Sequence, residues 1–385
     1  MDSVPQWFET TESQNAKKTL NIGSESWFID SHRRLTPDLI SLFSFCATSV
    51  DRWLESVPPI YSSTYRKQIT QEIAIFWLTN RSADVNWYKL ISYAEEMLFR
   101  TYENIAVTAN LVISQSPSND LDITDYAIQK LIDPIATSMQ TFIRIDGEAR
   151  LIGYEQITWS EINDSTGYKF NPEFLQPFSS ILGQGEFSLH ITLKGDVIIL
   201  NSSGLLVSCR KGRWHIYDSQ TLKNCIGDIS GSYYIGCNIF EVLLDLSYKR
   251  HGALLIYDPS HSVIEHVINR DSLIANAAEA DPFRAALAPS VEDISMGDAS
   301  STSASRKKRI MLELASLDGA VIFDDSNILA FGAMIETHPN AGNHTGARTT
   351  AFESSFLFDG KPFKVSSDGD ISLRFQAGSG KLNFL

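Results

Sequence analysis

Residues 317–323 read Leu-Asp-Gly-Ala-Val-Ile-Phe, a polar turn that leads directly into an apolar run. The run from Ala320 to Phe323 predicts a short strand in the centre of a sheet. Asp318 and Gly319 stand immediately before that strand. A carboxylate at a strand start can bind a divalent metal or accept a proton from a hydroxyl, and glycine lets the backbone approach a ligand closely. The stretch therefore predicts a sheet with a polar site at the edge where this strand begins.

A glycine-rich segment follows and ends at residues 346–350, Gly-Ala-Arg-Thr-Thr. We predict that a helix begins at Thr349 or Thr350. A glycine turn that opens a helix offers an anion backbone N–H groups, the helix dipole and, here, a guanidinium. Together with Asp318, this turn predicts a metal-assisted site for nucleotide phosphates. The alternative is purely structural: Asp-Gly is an ordinary turn, and Gly-x-Arg-Thr only starts a helix.

Two more segments complete an ordered set of four motifs. Residues 250–256 (Arg-His-Gly-Ala-Leu-Leu-Ile) lead a predicted helix into an apolar strand, and residues 365–372 (Val-Ser-Ser-Asp-Gly-Asp-Ile-Ser) predict a hairpin near the C-terminus. In this order, the segments resemble those of the DisA-type diadenylate-cyclase domain family. That family carries a Gly-Ala-Leu strand, an Asp-Gly-Ala strand, a Gly-Thr-Arg-His-Arg-Ala turn and a terminal Val-Ser hairpin.

The resemblance implies an α+β domain, in which helices flank a mixed and mostly antiparallel sheet. It implies that two such domains meet face to face and condense two ATP molecules into cyclic di-AMP, releasing pyrophosphate with the help of Mg²⁺ or Mn²⁺. Asp318 would be the catalytic carboxylate and the metal ligand. Seven further residues would bind the nucleotide or its phosphates: Gly319, Ala320, Gly346, Arg348, and the substituted turn positions Ala347, Thr349 and Thr350.

The turn departs from the family pattern at those three positions, where the family has threonine, histidine and arginine. Threonine donates a hydrogen bond to phosphate but brings no charge. The missing charge is expected to come from His344, Lys361, Arg374 or the basic segment 306–309, or to be absent. His344, Arg250 and His251 are further candidates for contact with the nucleotide. Two alternatives therefore stay open: a catalytically inactive nucleotide-binding sensor, or a synthase of a different cyclic nucleotide signal.

Composition shifts suggest how the chain is divided. We predict an N-terminal arm over 1–35, a mainly helical α/β sensor or regulatory domain over 36–164, the cyclase-like domain over 165–375 and a tail over 376–385. The segment 285–309 is rich in Ser, Ala, Gly and Asp, which predicts a mobile insertion. The hairpins predicted between 187 and 218 resemble the segment that precedes the cyclase domain in sensor-fused members of the family.

Bulk composition limits the classes of partner. The 385 residues are 43% hydrophobic and 20% charged, which suits a folded core. A net charge of −14 argues against broad nucleic-acid binding. Four cysteines without a C-x-x-C pair predict neither a zinc site nor a disulfide framework. No apolar stretch is long enough to span a membrane. We therefore expect a cytoplasmic protein. The resemblance implies ATP as its small-molecule partner and a second copy of the chain as its protein partner.

Overall fold

The structure is a computed structural model that describes residues 18–22, 25–29, 62–116, 118–135, 138, 140–158, 170–218, 233–274, 309–325, 327–342, 344, 346–374 and 381–384. The chain forms two compact units. The first unit comprises Met1–Asn163 and Pro177–Tyr217, and the second comprises Asp164–Gln176 and Asp218–Leu385. The predicted insertion over 285–309 lies outside the described residues except for its last position.

The first unit is built around a seven-stranded sheet. Its elements are β1 (Lys18–Ile22), β2 (Glu25–Ile29), α1 (Ser62–Thr79), α2 (Trp87–Met97), β3 (Thr101–Tyr102), β4 (Ile105–Ala106), β5 (Ala109–Ile113), α3 (Tyr126–Ile132), β6 (Thr141–Ile145), β7 (Leu151–Gln156), α4 (Gln176–Ile181, which begins at the unit boundary), β8 (Phe187–Ile191), β9 (Val197–Asn201), β10 (Gly204–Arg210) and β11 (Arg213–Ile216). The sheet order is β11-β10-β9-β8-β5-β6-β7, and only β5 and β6 run parallel.

This arrangement differs from the predicted division of the chain. Residues 177–217 lie in the first unit, whereas the sequence placed them in the C-terminal domain. The physical reason is β5, which is buried at all five positions and needs a strand on each side. β6 pairs with one edge and β8 with the other, with Ala109 opposite Ile191. The first unit is therefore organised by strands and not, as predicted, mainly by helices.

The alternation of apolar residues over 104–114 predicts one continuous strand, and the structure shows this prediction to be wrong. Glu103 and Asn104 have left-handed backbone angles, with φ of 51° and 66°. The turn that they form pairs β4 with β3 in a short hairpin, and the sheet strand begins only at Ala109. Alternation of apolar residues continues through both segments, so the break had no hydrophobic signal.

A buried polar network lies next to the strand pair β5–β8. His190 is 1% exposed, and its Nδ1 and Nε2 atoms each lie 2.8 Å from a partner, Asn110 Oδ1 and Ser188 Oγ. The amide of Asn110 donates to two backbone carbonyls, Ser138 O and Thr141 O, so its oxygen faces the histidine. Nδ1 therefore carries the proton and Nε2 accepts one from Ser188. This Ser-His-Asn row is sealed from solvent and serves packing.

Burial lowers the pKa of His190 to about 3. A histidine in the unfolded chain has a pKa of about 6.5. Below that pH the unfolded state therefore binds more protons than the folded state. The stability of the folded state, which is full above about pH 6.5, is lost as the pH falls. We expect the unfolding free energy of the first unit to fall by up to about 1.4 kcal/mol per pH unit between pH 6.5 and 4. Urea unfolding monitored by tryptophan fluorescence reports on the first unit alone, because all seven tryptophans lie within 1–163 and 177–217. A His190→Gln variant should show a flatter slope, and parallel slopes would contradict the assignment.

The second unit is an α+β fold on a six-stranded sheet. Its elements are a 3-10 turn (Glu173–Leu175), α5 (Tyr233–Tyr248), β12 (Ala253–Tyr257), 3-10 turns at Ile264–His266 and Arg270–Ser272, a helical segment over 309–315, β13 (Ala320–Phe323), β14 (Ile328–Ala333), α6 (Ala347–Leu357), β15 (Lys361–Val365), β16 (Ile371–Arg374) and β17 (Lys381–Phe384). The order is β14-β13-β12-β15-β16-β17, and only β12 and β13 are parallel. The predicted tail over 376–385 thus contributes its described residues, as β17, to the sheet.

One face of this sheet is covered by α6. Phe352 of that helix is fully buried in a cluster with Leu254, Ile256 and Ile322. The strand pairing places Lys364 directly opposite Leu254, so its side chain shares the face that α6 covers. α5 also packs against β15.

Strand direction decides where the motifs meet. β12 and β13 are parallel, with Leu254 beside Ala320, so both begin at the same edge of the sheet. β15 is antiparallel to β12, with Val365 beside Ala253, and therefore ends at that edge. We call this edge, formed by the starts of β12 and β13 and the end of β15, the entry edge.

Candidate functional site

Three of the four motifs touch at the entry edge. A Cβ atom placed on Gly252 would lie 2.3 Å from Nη1 of Arg348 and 3.3 Å from the backbone N of Ser367. The guanidinium of Arg348 thus occupies the space that a side chain at position 252 would fill. The residue before β12, the first turn of α6 and the turn after β15 are thereby within contact distance of one another.

The fourth motif reaches the same edge through β13. Gly319 has φ of 107°, and a Cβ atom on it would lie 2.5 Å from the backbone carbon of Gly332 in β14. Only glycine fits this close crossing of two backbones. The N–H of Gly319 donates to Oδ1 of Asp318 at 3.1 Å, and Asp318 is exposed to solvent. Ala320 is buried as the first residue of β13. The crossing therefore fixes the backbone behind a solvent-facing carboxylate.

The turn over 346–350 forms the start of α6. The helix begins at Ala347, two or three residues before the predicted start at Thr349 or Thr350, so that Arg348 and Thr349 lie in its first turn. Gly346 is the N-cap, with φ of 109°, and it has no side chain with which to cap the helix. The N–H groups of Thr349 and Thr350 bond to its carbonyl at 3.1 and 3.2 Å. The helix dipole and Arg348 give this end positive potential.

Lys364 adds a second cation that the sequence interpretation missed. Its Nζ lies 3.3 Å from Oγ1 of Thr349 and 5.5 Å from the ring centre of Phe352. The sequence interpretation considered Lys361 instead, because the pairing register of β15 was unknown. Period-two alternation puts 362 and 364 on one face and 361 and 363 on the other, so only knowledge of which face carries α6 would have selected Lys364.

The proposed histidines take local roles. His251 places Nε2 3.0 Å from the carbonyl of Ser316, which ties the start of β12 to the segment that precedes Asp318. Arg250 stands beside it with a left-handed φ of 52°. His344 is exposed and its Nε2 lies 2.6 Å from the carbonyl of Ala341 within its own loop. The structure therefore places His251 and Arg250 at the entry edge, whereas His344 makes its described contact within its loop.

The other expected sources of positive charge lie in different contacts. Arg374 forms an ion pair with Glu353, and its guanidinium carbon stacks 4.4 Å from the ring centre of Phe356. Lys361 begins β15, opposite Tyr257, at the end of the strand remote from the entry edge. Arg309 lies 3.4 Å from Glu173, and 306–308 lie outside the described residues. Lys364 is thus the additional cation that the structure places beside the turn.

The acidic pair after β13 belongs to the opposite end of the sheet. Asp324 accepts from the N–H of Asn327 at 2.7 Å, within the turn that joins β13 and β14. Asp325 accepts from the hydroxyl of Tyr257 at 2.5 Å. Burial, together with this bond, raises the pKa of Tyr257. These carboxylates stabilise the far end of the unit.

The fit of a divalent metal depends on Asp318. Within the described ranges, no group of three or more His, Cys, Asp or Glu side chains is placed to hold a metal ion. A closed protein cage is therefore not formed by these residues. A single exposed carboxylate does fit Mg²⁺ held jointly with substrate phosphates and water, since Mg²⁺ keeps much of its water and often takes only one or two carboxylates.

No family model matches the chain. No curated protein sequence matches it. Among solved structures, DacA from Staphylococcus aureus, as a double cysteine mutant, is 18% identical, with 44% of this chain and 89% of that chain covered and a TM-score of 0.25. A hypothetical membrane-spanning protein from Bacillus cereus is 14% identical, with 43% and 75% covered and a TM-score of 0.27. TM-scores this low do not establish a shared fold.

One finding concerns membranes. Among the helices that the structure describes, none is both long and apolar enough to cross a bilayer.

Proposed function

We propose that the second unit binds nucleoside triphosphates at the entry edge and acts as a diadenylate-cyclase-like nucleotidyltransferase. The proposal rests on the position of the Arg348 guanidinium, which packs over Gly252 and beside Ser367. It joins three separate motifs in one contact, at the edge where Asp318 precedes β13. Strand direction brings the turns to one edge, and the packing of Arg348 adds a specific side-chain contact between them.

The phosphates are proposed to lie at the start of α6. Arg348 provides a planar pair of donors that suits phosphate oxygens, and the helix start favours negative charge. Lys364 donates to Thr349 within the same turn. A phosphate placed there would meet two cations, which compensates for the histidine and arginine that the turn lacks.

Asp318 is proposed to perform the proton transfer. The 3′-hydroxyl oxygen of one nucleotide forms a bond to the α-phosphorus of another, and the bond from that phosphorus to the pyrophosphate oxygen breaks. The hydroxyl proton passes to the carboxylate of Asp318, which is exposed and anchored through Gly319. Two such steps convert two ATP into cyclic di-AMP and two pyrophosphates. A Mg²⁺ or Mn²⁺ ion held by Asp318 would neutralise phosphate charge.

This chemistry requires two copies of the second unit. One site presents one nucleotide, so each hydroxyl must reach a phosphate held by another copy. We therefore propose a homodimer, or a larger symmetric assembly, with entry edges facing each other.

A second candidate function is nucleotide sensing without turnover. It is favoured by the Glu353–Arg374 ion pair. Because Arg374 is paired with Glu353, its positive charge does not serve the turn over 346–350. In this case Arg348 and Lys364 would retain the nucleotide, while Asp318 would contribute little. A synthase of another cyclic nucleotide differs only in the base that the site accepts.

The test is to incubate the full chain with ATP, GTP or both, with Mg²⁺ or Mn²⁺, and to identify products by mass spectrometry. We expect a cyclic dinucleotide, and a 10- to 100-fold lower kcat/KM in Arg348→Gln, because a hydrogen bond to a charged group contributes about 1.5–3 kcal/mol. Arg213→Gln, an exposed arginine of the first unit, is the matched control. No cyclic or linear dinucleotide under any condition would exclude the cyclase. Calorimetry with a non-hydrolysable ATP analogue then tests the sensor function: binding supports it, and no binding excludes it.

A further inference from the structure

The first unit contains a cavity of about 430 Å³, lined entirely by its own residues. It lies where the two parallel strands end, since Ser114 directly follows β5 and Asp146 directly follows β6. Ligands of α/β sheets commonly bind beyond the carboxyl ends of parallel strands. The volume is within the range of small-molecule sites. Nothing in the cyclase proposal uses this cavity.

The wall of the cavity is fixed by close backbone packing. A Cβ atom on Gly147 would lie 2.3 Å from the carbonyl oxygen of Asp84. The N–H of Asn86 donates to the carbonyl of Gly147 at 2.8 Å, and Lys89 Nζ donates to the carbonyl of Glu148 at 2.8 Å. The turn between β6 and β7 is thus pinned to the start of α2. These contacts hold one wall of the cavity in place.

Buried polar groups line its floor. Ser114 is 5% exposed, and its hydroxyl lies 3.0 Å from that of Ser116. Asp146 is 9% exposed and accepts from Ser118 Oγ at 2.7 Å and from Arg150 Nε at 2.8 Å. The carboxylate of Asp146 is thereby matched by the guanidinium. The floor offers hydroxyl groups that can both donate and accept.

The remaining charge of the lining is negative. Among the lining side chains, Asp84, Asp146 and Glu148 contribute three carboxylates, and Arg150 contributes one guanidinium, which pairs with Asp146. Asp84 and Glu148 are exposed, and Glu148 accepts from the amide of Asn86 at 3.1 Å. A phosphate or carboxylate ligand would be repelled. A bare metal ion does not fit either, because in the described part of the chain no three acidic or metal-binding side chains converge. The lining is complementary to a cation that also forms hydrogen bonds.

We infer that this cavity binds a small organic amine that carries hydroxyl or further amino groups. The ammonium would lie against Asp84 and Glu148 at the rim, and the polar groups would bond to the serine floor. The first unit would then respond to an amine-bearing metabolite, separately from any nucleotide bound by the second unit.

Matched probes test the inference by isothermal calorimetry on the full chain at low salt. Glucosamine differs from glucose by one ammonium group, and putrescine differs from 1,4-butanediol by two. Glucose 6-phosphate is the negatively charged probe. We expect each amine to bind at least tenfold more tightly than its neutral counterpart, and glucose 6-phosphate not to bind.

Variants locate the site. Asp84→Asn should weaken amine binding about tenfold, whereas Asp120→Asn, an exposed carboxylate outside the lining, should leave it unchanged. Tryptophan fluorescence verifies that both variants are folded. The inference is overturned if no amine binds at 10 mM, if neutral and cationic probes bind equally, or if Asp84→Asn binds like the parent chain.

Discussion

Replacing Asp318 by asparagine should reduce dinucleotide formation by at least about 10³-fold and leave nucleotide binding within about threefold. General-base and metal-ligand roles both require the charge, and proton transfer by a placed group alone contributes about 10²–10⁴-fold. Asparagine has the same shape, and its oxygen can still accept from the N–H of Gly319. The loss would therefore be chemical and not structural. Initial rates by mass spectrometry and binding of a non-hydrolysable ATP analogue measure the two effects.

Glu313→Gln is the matched control for this prediction. It removes one exposed negative charge from the helical segment five residues earlier. Its rate should equal that of the parent chain. A parent-like rate in Asp318→Asn would remove Asp318 from the mechanism, and equal losses in both variants would point to general electrostatics.

Replacing Gly319 by alanine is expected to destabilise the second unit by on the order of 3 kcal/mol. Two costs combine here: a left-handed φ of 107°, and a Cβ atom 2.5 Å from the backbone carbon of Gly332. Backbone cannot move aside as a side chain does. Because the second unit has no tryptophan, the measurement is hydrogen exchange of peptides that cover β12 to β14.

Gly346→Ala separates the two costs. Its φ of 109° is nearly the same, but an added Cβ atom has no neighbour within 4 Å. We expect a loss of about 1 kcal/mol from backbone strain alone. If both variants lose the same stability, the close crossing with Gly332 contributes nothing.

Local signals in the sequence predicted many of the elements. Apolar periodicity predicts helices over about 62–78 and 87–98, and the structure has them at Ser62–Thr79 and Trp87–Met97. The apolar runs over 320–323 and 328–333 predict strands, and both are present. Their apolar periodicity reports local burial, which the sequence contains directly. The α+β class that the resemblance implies agrees with the elements of the second unit.

Pairing between distant segments was not predictable in the same way. The union of β5 with β8 joins residues about 80 apart, and no local pattern distinguishes it from a separate domain. The same limitation hid Lys364, whose role depends on which face of β15 meets α6. The motifs around Gly252 and Asp318 were found because each is a short local signature, and their nucleotide-binding role remains a prediction.

The packing of Arg348 over Gly252 has a consequence for evolution. A larger residue at 252 would take the volume that the guanidinium fills, so substitutions at the two positions should be coupled across descendants of a common ancestor. A lineage that loses the glycine should soon lose the arginine, because its side chain no longer has room at the sheet. Position 252 would then be among the first to drift when selection on the pocket relaxes, although it offers no functional group of its own.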